Sequence, residues 1–296
     1  MKARNLFLLA MIATGMFFTS CEQKEDQVAE EQTEDIEAVI NDDADVEDII
    51  DAVADQVDAY TSLDIEGSYA EISDINLKSA TDEVEYPIVT KEHLEEGKFY
   101  PVKITIDYGP ENHKILVHRT KEAWVRGKII VVKTGPHYRP NTQRTVTFKD
   151  YYFNDNHVEG DKLYENLGKN DNGNFVFAWT VEIKVTTPEG KWVSKIENKQ
   201  REKIAGARTK RIWDDEFLVT GSSSGSKSNG FTYNRTILDE NPVWRKRVCR
   251  FPVKGTVSIV NSRRTYTLDY GDGECDAIAT ITDDEGNTKE ITLGRR

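Results

Sequence analysis

Four groups of residues in this sequence have types and spacings that could do chemistry. The first is Cys21, preceded by a nearly uncharged apolar run from Leu6 to Phe18 and by Thr19-Ser20, and succeeded at once by the charged Glu22. An apolar run of thirteen residues reaches about 20 Å as a helix, against a hydrocarbon core of roughly 30 Å, so it reads as a secretory signal and not a permanent span. Small residues directly before a cysteine suit lipoprotein processing, in which the thiol is acylated and cleavage leaves Cys21 as the new N-terminus. A chance cysteine behind an ordinary signal peptide is the alternative. The second group is Cys249 and Cys275, which an exported domain could join as a disulfide, worth about 3–4 kcal/mol in the chain-entropy picture; two buried free thiols are the alternative. Third, Asp269, Asp272, Glu274 and Asp276 crowd four carboxylates into eight residues. Ca²⁺ takes six to eight oxygens, but the alternating Asp-x-Asp-x-Asp-Gly spacing is missing and a polar hairpin turn is expected. Fourth, Gly221-Ser222-Ser223-Ser224-Gly225 fits the nucleophile-elbow pattern, yet Ser226-Lys227-Ser228-Asn229-Gly230 cannot start the required helix, and the segment reads as a flexible Ser/Gly loop.

The remaining chemistry is sparse. The five histidines, at 93, 113, 118, 137 and 157, lack metal-ligand spacing, and no zinc or phosphate-cradling motif occurs. No cofactor and no catalytic residue are expected. His137 and Tyr138, in Gly135-Pro136-His137-Tyr138-Arg139-Pro140, and Tyr151-Tyr152 could form a ligand platform, with Trp124, Trp192, Trp213 and Trp244 as further aromatic surface for sugars. Aromatics in a β protein more often belong to the core.

The elements that must position these residues emerge from charge and periodicity. The formal charge is −13, but residues 22–85 alone carry −21 and residues 86–296 carry +6. The organisation expected is a signal peptide over 1–20, a lipidated acidic tether over 21–35, an amphipathic helical segment over 36–63, a linker over 64–85 and an antiparallel β domain over 86–296. Val46, Ile49, Ile50, Val53, Val57 and Tyr60 recur at three and four, which puts an apolar stripe on one helix face. Ile36, Val39 and Ile40 begin the same helix or a separate turn, because Asn41-Asp42-Asp43 interrupts the pattern. That stripe is expected to pack on the basic body of the same chain, the alternative being a docking helix for a partner.

After Glu85 the period changes to two. Val102 to Tyr108, Phe175 to Val185, Ile129 to Val132, Thr145 to Phe148, Phe217 to Thr220, Val257 to Val260, Thr265 to Tyr270, Ile278 to Thr282 and Glu290 to Leu293 read as strands. Asn170-Asp171-Asn172-Gly173, Pro188-Glu189-Gly190 and Asp284-Glu285-Gly286-Asn287 supply hairpin turns. The fold class expected is mainly β, an antiparallel sandwich or extended meander. Lys103 to Gly109 echoes Arg264 to Gly271, and Gly127 to Val131 echoes Gly255 to Ile259, with the two elements in opposite order. The basic stretch Lys199 to Arg211 is expected to meet the acidic segment or an anionic envelope polysaccharide. Nucleic acid is not an expected partner, since the basic residues are spread along the chain.

Asp107-Tyr108-Gly109, Gly127-Lys128-Ile129-Ile130-Val131, Arg144-Thr145-Val146-Thr147-Phe148 with Tyr151-Tyr152, Val158-Glu159-Gly160 and Leu268-Asp269-Tyr270-Gly271-Asp272-Gly273-Glu274-Cys275-Asp276 resemble an uncharacterised, β-rich group of Bacteroidota-type outer-membrane lipoproteins. The resemblance covers residues 100–293, and Gln23-Lys24-Glu25-Asp26 is similar to the export signal of such lipoproteins. It implies a lipid-anchored protein of the outer membrane facing the cell surface, or alternatively the periplasm, with no activity assigned. Three functions are carried forward: a non-enzymatic binding or scaffolding module, a surface glycan-binding module and a glycan-directed hydrolase.

Overall fold

The computed structural model describes residues 22–61, 86–117, 121–209, 211 and 213–294. Cys21, the signal segment and the linker 64–85 lie outside them. By internal contacts the chain divides into Met1–Val39 and Ile40–Arg296, and the second unit holds the sheet together with the helix from Ile40 onward.

One helix, α1 (Glu22–Thr61), covers the segment expected as a tether as well as the expected helix. Nothing between Glu22 and Thr61 breaks a helix: there is no Gly or Pro, and Glu, Gln, Lys and Ala are strong helix formers. Asn41-Asp42-Asp43 does not interrupt it, because each polar side chain has a partner on the β unit. Asn41 accepts a bond from the Gly294 amide at 2.8 Å, Asp42 pairs with Lys227 and Asp43 with Arg235.

The strands are β1 (Ile88–His93), β2 (Val102–Asp107), β3 (His113–Val117), β4 (Lys121–Lys133), β5 (Gln143–Phe153), β6 (Asn156–Lys169), β7 (Phe175–Thr186) and β8 (Trp192–Ala205). They continue as β9 (Glu216–Lys227), β10 (Thr232–Ile237), β11 (Val243–Lys246), β12 (Lys254–Asn261), β13 (Thr265–Asp272), β14 (Ile278–Asp283) and β15 (Thr288–Thr292). All pair antiparallel in one sheet ordered β1-β2-β4-β5-β6-β7-β8-β9-β10-β12-β13-β14-β15. Of the two architectures expected, the meander is the one adopted. The expected hairpin turns close it: Gly173 and Gly190 adopt positive φ at their tips, and Asp283 and Asn287 close the last turn through a 3.0 Å backbone bond.

Two strand positions are broken into halves. β2 and β3 both pair with β4, β2 opposite Lys128–Lys133 and β3 opposite Lys121–Val125. β10 and β11 share β9 in the same way. The sequence echo marks matching joints. Asp107 and Asp269 each accept a bond from the glycine two residues on, at 2.9 and 2.8 Å, and each of these strands faces a partner whose register shifts at a glycine, Gly127 or Gly255.

The apolar stripe of α1 is buried, as expected, on the chain's own sheet. Val46, Ile49, Ile50, Val53 and Val57 form one core with Ile104, Ile106, Ile129, Val131, Val181 and Ile183. Full burial of each such side chain contributes about 1.5–3 kcal/mol, an upper bound given residual structure in the unfolded chain. The flank of the same helix carries acids that reach β8, β10 and β11, in the middle of the strand order. Asp58 alone meets both Arg144 of β5 and Arg247 just past β11, so the sheet curls around the helix.

Candidate binding site

The strands from β5 to β11 present a face to α1 that reads as cross-strand rows. Arg144, Tyr164, Trp179, Lys199 and Gly221 form one row; Lys162, Val181, Glu197, Ser223 and Arg235 form the next. In β8 the charged residues alternate, with Lys195 and Glu197 buried and Ile196 and Asn198 exposed. This period-two charge is the signal that Lys195 and Glu197 face inward; the basic stretch read from the sequence, Lys199 to Arg211, begins only after them.

The segment expected as a Ser/Gly loop is the middle of β9. A Cβ on Gly225 would lie 2.2 Å from the Tyr233 ring, and one on Gly221, at φ +114, would lie 2.3 Å from the Asn198 carbonyl. The small residues therefore make room in the sheet, and Ser223 sits in a regular strand and not at a strand-to-helix elbow.

Into this space α1 presents Asp43, Glu47, Asp51, Asp55 and Asp58. Lys195, whose side chain is fully buried, stands 3.0 Å from each of Asp43, Glu47 and Glu197. Lys199 holds Glu47 and Glu197 at 2.9 and 2.7 Å, and the Tyr233 hydroxyl donates to Asp43 at 2.6 Å. Further along the helix Arg245 meets Asp51, Arg247 meets Asp55, and Arg144 donates to Asp58 at 2.6 Å. The expected encounter between the basic stretch and the acidic segment thus occurs at Lys199 with Glu47.

The electrostatics reflect this pairing. Burial works against ionisation of Glu197, but Lys195 and Lys199 outweigh it and pull its carboxyl down to about 2. Glu47 is held well below the ordinary range in the same way. Burial likewise opposes the charge on Asp58, and Arg144 and Arg247 overcome it. Burial would lower Lys195, but Glu197 and Glu47 reverse that and raise it. Lys162 is the exception: burial brings its ammonium down to about 8, Asp51 opposes this, and Arg201 and Arg144 add to it.

Between α1 and the sheet lies a cavity with about 110 Å³ open to the centres of water-sized molecules. A single water needs at least about 10–15 Å³ of such space, so the cavity has room for several. Eight Lys or Arg side chains line it against five carboxylates. Arg201 is stacked among aromatics, its guanidinium carbon 4.4 Å from the Phe217 ring centre and 5.2 Å from that of Tyr164. The Lys162 ammonium lies 5.6 Å from the Trp179 ring centre.

The other candidates fall elsewhere. Cys249 and Cys275 are disulfide-bonded, with Cα atoms 5.5 Å apart. Asp269 and Asp276 bond the amides of Gly271 and Ile278, which is turn chemistry, and no metal-holding group including Asp272 or Glu274 exists among the described residues. The candidate platform is not assembled. Tyr151 is fully buried, with Gln56 of α1 within 3.4 Å of its hydroxyl. Tyr152 stacks on His157 with Arg126 over its ring, 3.9 Å away, whereas His137 and Tyr138 contact each other in a separate loop. Trp124 is 47% exposed beside Lys114. No described helix is long and apolar enough to cross a membrane.

No family model matches the sequence, and no match was found among curated proteins or solved structures. The site therefore speaks through its geometry alone.

Proposed function

We propose that this chain is a cell-envelope lipoprotein, lipidated on Cys21 and anchored to the outer membrane, whose β unit binds or scaffolds another envelope component without chemical turnover. The observation that carries the reading is the Cys249–Cys275 disulfide. Such a bond belongs to exported proteins, and the one remaining cysteine, Cys21, stands directly behind an apolar signal-like segment. Binding is favoured over hydrolysis by the state of the carboxylates. Glu47 and Glu197 share Lys195 and Lys199 and could be taken for a hydrolytic pair, but a glycosidase needs one carboxyl kept protonated by a raised pKa. Here the lysines pull both down.

The test is to express the full chain in a lipoprotein-competent host, with labelled palmitate and protease applied to intact cells, beside Cys21→Ser. Label in the wild type, lost in the variant, with the wild-type β unit shaved from intact cells, is the expected outcome. Labelling without shaving moves the protein to a periplasmic face, and an unlabelled wild type overturns the reading.

A further inference from the structure

One corner of the cavity is short of negative charge. Arg144, Lys162 and Arg201 converge around Tyr164 and Trp179. Asp58 answers Arg144, whereas Arg201 donates only to the neutral Tyr164 hydroxyl, at 2.7 Å, and Lys162 forms no salt bridge among the described residues. The Nε atoms of Arg144 and Arg201 are shielded from solvent and have no hydrogen-bond partner. Unpaired donors and like charges drawn out of water are costly unless an anion completes them. Lys195, Lys199, Arg235, Arg245 and Arg247, which meet the acidic flank of α1, each have a carboxylate, so this corner stands out against the rule that its neighbours obey. Asp51 and Glu197 lie near enough to act on Lys162 without forming an ion pair with it, and Ile50 and Ala54 from the helix and Phe217 from the sheet supply apolar wall.

We infer that this corner is a binding site for a small organic anion, its carboxylate or phosphate head among Arg144, Lys162 and Arg201 and its compact aromatic or apolar body against Tyr164, Trp179 and Phe217. Arginine suits such a head because its fork offers paired donors to two oxygens, and flat rings beside the cations suit a flat body. The site rests on the binding reading only in placing its ligand outside the cytoplasm; its geometry does not depend on Cys21.

Calorimetric titration of the full chain in detergent with phenyl phosphate, benzoate, inorganic phosphate and benzyl alcohol tests this. Saturable binding of phenyl phosphate or benzoate is expected, tighter than inorganic phosphate, with benzyl alcohol silent; the better of the two names the head group. Lys162→Met should weaken binding about ten- to a hundredfold, as loss of a hydrogen bond to an ion does, and Ala54→Phe should abolish it by filling the space. Both variants are compared with wild type by thermal melting, so that loss of binding counts only in folded protein. No binding of either charged aromatic at millimolar concentration, equal binding of the neutral alcohol, or wild-type affinity in both folded variants overturns the inference. None of these outcomes touches lipidation, which the palmitate experiment reads separately.

Discussion

Asp43 shows how much a single buried carboxylate can hold. Its side chain is fully buried and meets Lys195, Arg235 and the Tyr233 hydroxyl. Asp43→Asn keeps the shape but removes the anion that Arg235 and Lys195 share, and removing one partner of a buried pair costs about 3–5 kcal/mol. Denaturant unfolding should show that loss as a lower midpoint, with circular dichroism reporting an unchanged strand content before the transition; a variant within about 1 kcal/mol of wild type would mean that the network contributes little. Little of this was legible in the sequence. Asn41-Asp42-Asp43 read as an interruption of the helical pattern, and Glu47, Lys195 and Glu197 carried no signal, because a charged residue on a helix or strand bears no mark of facing inward until its neighbours are known. The cysteine pair was legible, since two cysteines left over behind a signal-like start have an obvious use wherever such a start leads to export.

Among the elements, α1 and the apolar strands could be read because their periods, 3.6 and 2, are carried by hydrophobic residues. β8 and β9 were obscured for opposite reasons. β8 alternates charge in place of apolar residues, and β9 contains Gly221-Ser222-Ser223-Ser224-Gly225, whose composition favours a loop until the Tyr233 ring and the Asn198 carbonyl are seen to exclude anything larger. Gly225→Val tests that account. Valine suits a strand by propensity, so a loop-like or tolerant site would gain or stay neutral. The contact with Tyr233 predicts a loss of about 1–3 kcal/mol, the usual cost of overpacking, read as a lower melting temperature.

For the whole molecule, the pairing of an acidic helix with a basic sheet makes stability depend on pH in one direction. Glu47, Asp58 and Glu197 have carboxyls held lower in the folded chain than in the unfolded one, so the unfolded chain takes up protons first. Their contribution is complete above the ordinary 4.5 of a glutamate and drains away as the pH falls toward about 2, where Glu197 itself titrates. Melting temperature should therefore be flat from about pH 7 to about 5 and drop steeply below about 4, and a profile level down to about pH 3 would remove these pairs from the account of stability.

The distance in sequence across those pairs has a further result. Asp48 meets Arg250 across 202 positions and Asp51 meets Arg245 across 194. A chain made N-terminus first produces its acidic helix long before the arginines that neutralise it, and contacts so remote are slow to form. A product cut short just before Arg245 carries the helix and β1 to β10 but lacks several of the charges that join helix and sheet. The last joins between helix and sheet, at Arg245, Arg247 and Arg250, thus form only after the tenth strand has been made.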